Sequence, residues 1–127
     1  MAIQIITDST ADLSREQAQA LHIQVIPLGV RFGEQEFIDG VTITKAEFYT
    51  RLEGVEELPQ TSQVSPHAFE EAFAAARARG DEVVALVLSS ELSGTYQSAL
   101  IAQEQLGTTG IYVVDSRNVT MGLHVLV

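Results

Sequence analysis

Apolar residues fall into four short runs separated by amphipathic segments. Ile3 to Thr7, Ile23 to Val30, Val83 to Leu88 and Ile111 to Val114 read as strands. The last two are continuous, β-branched and without alternation, the pattern of strands covered on both faces, as in a parallel sheet. A buried helix would carry the same apolar character but seldom runs so short.

Helix signals lie between and after these runs. Ser14-Arg15-Glu16-Gln17 and Thr44-Lys45-Ala46-Glu47 have the form of capping boxes, and Ile43 and Phe48 stand where a hydrophobic staple would place them. Ser65 is a good N-cap ahead of Pro66 at the first helical position. Phe69, Ala72, Phe73 and Ala76 then follow at i, i+3, i+4, i+7, with Gly80 as the stop. A further helix is expected from Ser93 to Leu106, ended by Gly107, and a last one from near Asn118. Val30 to Ile38, apolar at both ends around Gly33, suggests a small hairpin. Gly54 to Ser65 reads as a long loop stiffened by Pro59, and loops of that length are often functional.

Alternation of strands and helices implies an α/β fold: a mostly parallel sheet flanked by helices, with a small β-hairpin excursion. The 127 residues, 46% of them apolar, suit a single domain spanning 1–127. The sequence ends on Gly122-Leu123-His124-Val125-Leu126-Val127, apolar and uncapped, which reads as the cut end of a larger protein or an end covered by a partner.

Composition removes several function classes. With no Cys there is no disulfide scaffold, thiolate metal site or thiol nucleophile. Seventeen acidic against seven basic residues give a formal charge of -10, which disfavours nucleic acid and anionic membrane surfaces as partners. No apolar stretch approaches the roughly 20 residues of a membrane span. Met1 leads almost directly into the first strand without signal-peptide features, so the expected location is the cytoplasm. His22, His67 and His124 lack metal-ligand spacing, and neither metal nor cofactor is expected.

In parallel α/β sheets ligands bind beyond the carboxyl ends of the strands. Here those exits are rich in hydroxyls: Thr7-Asp8-Ser9-Thr10 after the first strand, Ser89-Ser90-Glu91-Leu92-Ser93-Gly94-Thr95 after the third, and Asp115-Ser116 after the fourth. The long loop adds Gln60-Thr61-Ser62-Gln63. Each cluster alone is ordinary turn and cap chemistry. Together they suggest one polar site. Hydroxyl and helix N-terminal N–H donors favour an anion, and Gly94 permits close backbone approach. Only Arg117 among the few cations stands at a strand exit, so a singly charged carboxylate suits the site better than a nucleotide. There is no Walker A motif, no GxGxxG and no GxSxG elbow. The enzymatic alternative is a small phosphotransferase or hydrolase using Asp8 as nucleophile or Mg²⁺ ligand, although Ser9 follows in place of an Asp-x-Asp pattern. A third reading is a structural half-domain that self-associates.

The segments Ile6-Thr7-Asp8-Ser9-Thr10-Ala11-Asp12-Leu13, Pro27-Leu28, Thr61-Ser62-Gln63-Val64-Ser65-Pro66, Leu92-Ser93-Gly94-Thr95-Tyr96-Gln97-Ser98-Ala99 and Asp115-Ser116 with Gly122 resemble the DegV family. The resemblance covers nearly the whole chain, with Val64 standing where Pro is frequent. It implies a bacterial fatty-acid-binding protein, non-enzymatic itself, in some members the acyl-carrying subunit of fatty acid kinase. It also implies that this chain is the N-terminal domain of two, with a long-chain fatty acid between them and a basic or His contact on the missing second domain. The family's carboxylate-binding hydroxyls fall on Thr61 or Ser62 and on Ser93. Gly94 and Thr95 would shape the loop, with Asp8, Ser9, Asp115 and Ser116 supporting the site. The kinase subunit would supply the chemistry.

Overall fold

A computed structural model describes residues 2–127. In chain order the strands are β1 (Ile3–Asp8), β2 (Ile23–Ile26), β3 (Gly29–Phe32), β4 (Gln35–Ile38), β5 (Gln60–Ser62), β6 (Glu82–Val87) and β7 (Ile111–Asp115). The helices are α1 (Arg15–Ala20), α2 (Lys45–Glu53), α3 (Pro66–Ala78), α4 (Thr95–Leu106) and α5 (Met121–Leu126), with a 3-10 turn over Ser9–Ala11.

The main sheet is parallel throughout, in the order β2-β1-β6-β7. Its strands are bridged by helices because a parallel neighbour cannot be reached by a tight turn. One face carries Ile6, Val83, Ala85 and Val87 against Phe69, Ala72, Phe73 and Ala76 of α3 and Ala99 and Ala102 of α4. The Phe69 and Phe73 rings lie 5.6 Å apart in the middle of this layer. The opposite face is closed by α5, whose Leu123 packs with Ala11, Leu86 and Leu88, while α1 covers β2. α1 and α2 both start with the complete capping box expected of them, and Ser65 accepts from the Ala68 N–H at the start of α3.

Four boundaries differ from the sequence expectation, each for a local reason. The expected second strand is two strands: β2 pairs with β1, whereas β3 belongs to a second, antiparallel sheet of order β4-β3-β5. Pro27 separates them, having no N–H to continue a ladder, and the Leu28 N–H donates to Ser9 Oγ at 3.0 Å instead. The expected long loop contains β5, whose three residues are all exposed and so show no hydrophobic period. α4 starts at Thr95 with Gly94 as its N-cap, not Ser93. The Ser93 hydroxyl accepts the Thr95 N–H at 3.2 Å, a turn two residues long that precedes the helix. The last helix starts at Met121 because Thr120 holds φ 50°, outside the helical region. The hairpin itself forms as β3–β4 around Gly33, at φ 60°, and its inner face buries Val30, Phe32 and Ile43 with Phe37 and Phe48.

No helix of the described residues is long and apolar enough to cross a membrane.

Candidate functional site

The chain leaves β1 toward β2 on one side of the sheet, and returns on the other side as β6. β1 and β6 therefore flank the point where the winding direction changes, and the gap beyond their carboxyl ends is the natural ligand crevice of an open parallel sheet. Asp8 and Leu88 stand at that gap. The Asp8 carboxylate accepts the Leu88 N–H at 2.8 Å, and its other oxygen accepts the Thr10 N–H at 2.9 Å and the Thr10 hydroxyl. Asp8 is fully buried. Burial pushes its carboxyl above the ordinary 3.8, outweighing the hydrogen bonds from Thr10 and Leu88 that favour the ionised form. A nucleophile or Mg²⁺ ligand must present a free lone pair to an accessible reactant. Asp8 is inaccessible, with three of its roughly four lone-pair sites taken, an arrangement that suits a tie between two strand ends better than a reactive group.

A cleft of about 510 Å³ opens immediately above this tie. Its polar lining is Thr10, Thr61, Gln63 and Ser93, with Gly94 beside them, and its apolar lining is Leu28, Leu88, Leu92 and Val119. None of these residues carries a charge. Thr61 and Ser93 come from different sheets' connections yet share this one cavity, which the small sheet achieves by carrying β5 back alongside β3.

Ser62 does not line it. Strand pleating sends neighbours to opposite faces: Thr61 is level with Val30, Ser62 with Gly29. A Cβ built on Gly29 would meet Ser62 Oγ at 2.2 Å, so that hydroxyl rests over the bare glycine, on a second depression with Arg31, Glu36 and Ile38 that Thr61 also borders. Thr95 is not in the lining either. It is fully buried, accepts the Val64 N–H at 3.3 Å, and sits 3.0 Å from Ser93 Oγ. It thus ties the Thr61–Val64 segment to the start of α4. Gly94 has a specific reason to lack a side chain: a Cβ there would meet Gln63 Oε1 at 2.1 Å. The Gln63 amide lies across it and donates to Ser98 Oγ at 3.4 Å.

The remaining residues singled out in the sequence brace the surrounding turns. Ser9 tethers Leu28. Asp115 accepts from the Ser90 hydroxyl and N–H and from the Arg117 N–H, joining the ends of β6 and β7. The Ser90 hydroxyl is the main reason its carboxyl lies below the ordinary range. Ser116 accepts the Asn118 N–H at 3.1 Å and organises the turn toward α5. Arg117, the one cation at a strand exit, is exposed and absent from the cleft lining. Thr10 and Gln63 belong to the clusters named from sequence but carry no individual role there, and Val119 belongs to none. For Gln63 the available signal was its place beside Thr61 and Ser62; Val119 carries none, because its position depends on the turn before α5. Among the described residues no group of three His, Asp or Glu side chains is arranged to hold a metal ion.

Residues 2–127 match the family model described as "Uncharacterised protein, DegV family". A DegV domain-containing protein of Clostridium perfringens is 42% identical over 125 residues, which is 98% of this chain and 45% of that protein. One from Caldanaerobacter subterraneus is 41% identical over 126 residues, 98% of this chain and 44% of the relative. Among solved structures, a stearic acid-binding protein from Eubacterium ventriosum superposes with a TM-score of 0.90 at 33% identity, over 99% of this chain and 45% of the other. A DegV family protein from Thermus thermophilus, described by its fatty acid binding, gives 0.89 at 32% identity with the same coverage. The chain thus spans less than half the length of the relatives it matches.

Proposed function

This chain belongs to the DegV family, and from that premise we propose that it binds a long-chain fatty acid by its carboxylate in the cleft between Thr61 and Ser93. What carries the reading is the neutral, hydroxyl-bearing cavity at the switch point of the sheet, in a fold whose solved relatives bind fatty acids. Hydrogen bonds to an ionised group contribute about 1.5–3 kcal/mol each. Two hydroxyl donors offset the cost of several kcal/mol of withdrawing one carboxylate from water; a diphosphate in a cleft without cations would remain unbalanced.

The acyl tail has only partial walls here. Leu28 and Leu88 are buried, but Leu92 is 64% exposed and Val119 36%. Each methylene withdrawn from water contributes about 0.8 kcal/mol, so a long tail gains most when a second body closes over this rim. The chain's coverage of less than half of its relatives supports assigning that body to a second DegV domain. The carboxylate, lying at the mouth between Thr61 and Ser93, is then placed for presentation to a kinase subunit that performs the phosphorylation.

The test is extraction and mass spectrometry of lipid co-purifying with the protein, followed by titration with a long-chain fatty acid. Recovery of fatty acid from the unsubstituted protein, lost with Thr61→Val and Ser93→Ala in a folded background, is the expected result. Equal recovery from all three would overturn the site.

A further inference from the structure

We infer that Thr95 is the positioning residue that makes Ser93 a one-way donor into the cleft, and so selects a headgroup that only accepts hydrogen bonds. The inference rests on the fatty-acid reading above and deepens it. Thr95 Oγ1 accepts the Val64 N–H at 3.3 Å. A backbone N–H can only donate, so this bond has one direction. The Thr95 side chain is fully buried and its own proton must also be placed. Ser93 Oγ, 3.0 Å away, is the acceptor within reach among the described residues. Ser93 Oγ also accepts the Thr95 N–H at 3.2 Å. Both acceptor sites of the serine hydroxyl are therefore occupied by Thr95, one by its N–H and one by its O–H. Its remaining function is its own proton. Ser93 is half-buried, lines the cleft and has no other protein partner among the described residues.

The result is a directed chain running Val64 N–H, Thr95 O–H, Ser93 O–H, cleft. Successive bonds in such a chain polarise one another and strengthen the terminal donor. A carboxylate, which only accepts, completes the chain. An ammonium group, which only donates, meets a serine with no lone pair to offer.

The experiment compares dodecanoate with dodecylammonium, each below its micelle concentration, on the unsubstituted protein and on Thr95→Val, Thr95→Ser, Ser93→Ala and the double variant Ser93→Ala with Thr95→Val. Net charge is the same in all, so general attraction of cations to the acidic protein cancels in the affinity ratio. Loss of the fixed direction should lower the carboxylate-to-ammonium ratio by about tenfold in Thr95→Val, the worth of one hydrogen bond to an ion. Thr95→Ser should retain the ratio, and Thr95→Val should not change it further once Ser93 is alanine. An unchanged ratio in Thr95→Val, or the same change with and without the Ser93 hydroxyl, would overturn the inference while leaving fatty acid binding intact. No dodecanoate binding by the unsubstituted protein would instead overturn both readings. Should Thr95→Val not fold, neutron diffraction of the unsubstituted protein decides directly: a deuteron on Thr95 Oγ1 aimed at Ser93 is expected, and one on Ser93 aimed at Thr95 would overturn the inference.

Discussion

The Leu88 N–H donates to the Asp8 carboxylate at 2.8 Å, across 80 residues of sequence. This bond closes the carboxyl ends of β1 and β6 against each other just beneath the cleft. The same carboxylate takes two donors from Thr10, so one side chain sets the floor of the cavity and one of its polar walls.

Asp8→Ala leaves the buried Leu88 N–H and the half-buried Thr10 donors without their acceptor. A lost partner costs about 1–3 kcal/mol for each stranded group, so the variant should lose roughly 2–4 kcal/mol of stability. The midpoint of urea unfolding measures it; an unchanged midpoint would mean the tie is dispensable.

Asp8 also gives the stability a pH dependence of unusual sign for an aspartate. Its folded pKa is raised above 3.8 by burial. Between 3.8 and that raised value the native state holds more protons than the unfolded one, so stability falls as pH rises through this window. Asp8→Asn should lack this component. Asp115 acts oppositely: its carboxyl is lowered, chiefly by Ser90, so its contribution is present above 3.8 and is lost as pH falls below that into the folded-state range. Unfolding free energies of the two proteins across acid pH separate the effects, and parallel curves would refute the assignment to Asp8.

Ser93→Ala should weaken fatty acid binding by about 10- to 100-fold, one hydrogen bond to an ionised group, while the helix content by circular dichroism stays the same. Calorimetric titration reads the first and the spectrum the second.

Gly94→Ala tests the close approach of Gln63. Its φ is -75°, ordinary for alanine, so backbone strain does not enter. The new methyl must push aside the flexible end of Gln63, for a stability change of about 0.5 kcal/mol or less. Binding should fall because the displaced amide enters the cleft. Full affinity in this variant would show that the cleft has room to spare.

Arg117→Ala should leave carboxylate affinity within about twofold, and affinity should depend little on salt, because no cation lines the cleft. A steep salt dependence would point to a charged partner group that this cleft does not contain.

Much of the architecture is legible along the chain. β6 and β7 are recognisable as β-branched runs, α3 from the Phe69–Ala76 spacing, and α1 and α2 from capping boxes that form as written. These signals are local, set by periodicity and by hydrogen bonds spanning three residues. β5 escapes because Gln60, Thr61 and Ser62 are all exposed and carry no period. Its partner β3 was hidden inside a longer apolar run, and only the missing N–H of Pro27 marks the break.

The candidate site divides the same way. The residue types alone identify a collection of neutral donors at the strand exits and argue for a single negative charge. Which of them share a cavity is a matter of pleat and packing. Strand alternation puts Thr61 and Ser62 on opposite faces, and the direction of that alternation depends on β5 pairing with β3. Thr95 lies two residues from Ser93 yet is buried, because its hydroxyl meets the Val64 N–H from a segment 31 positions away. Short-range chemistry was therefore written in the sequence, and the choice among equivalent hydroxyls came only with long-range contacts, since burial and hydrogen-bond direction exist for a side chain only once its distant neighbours are in place.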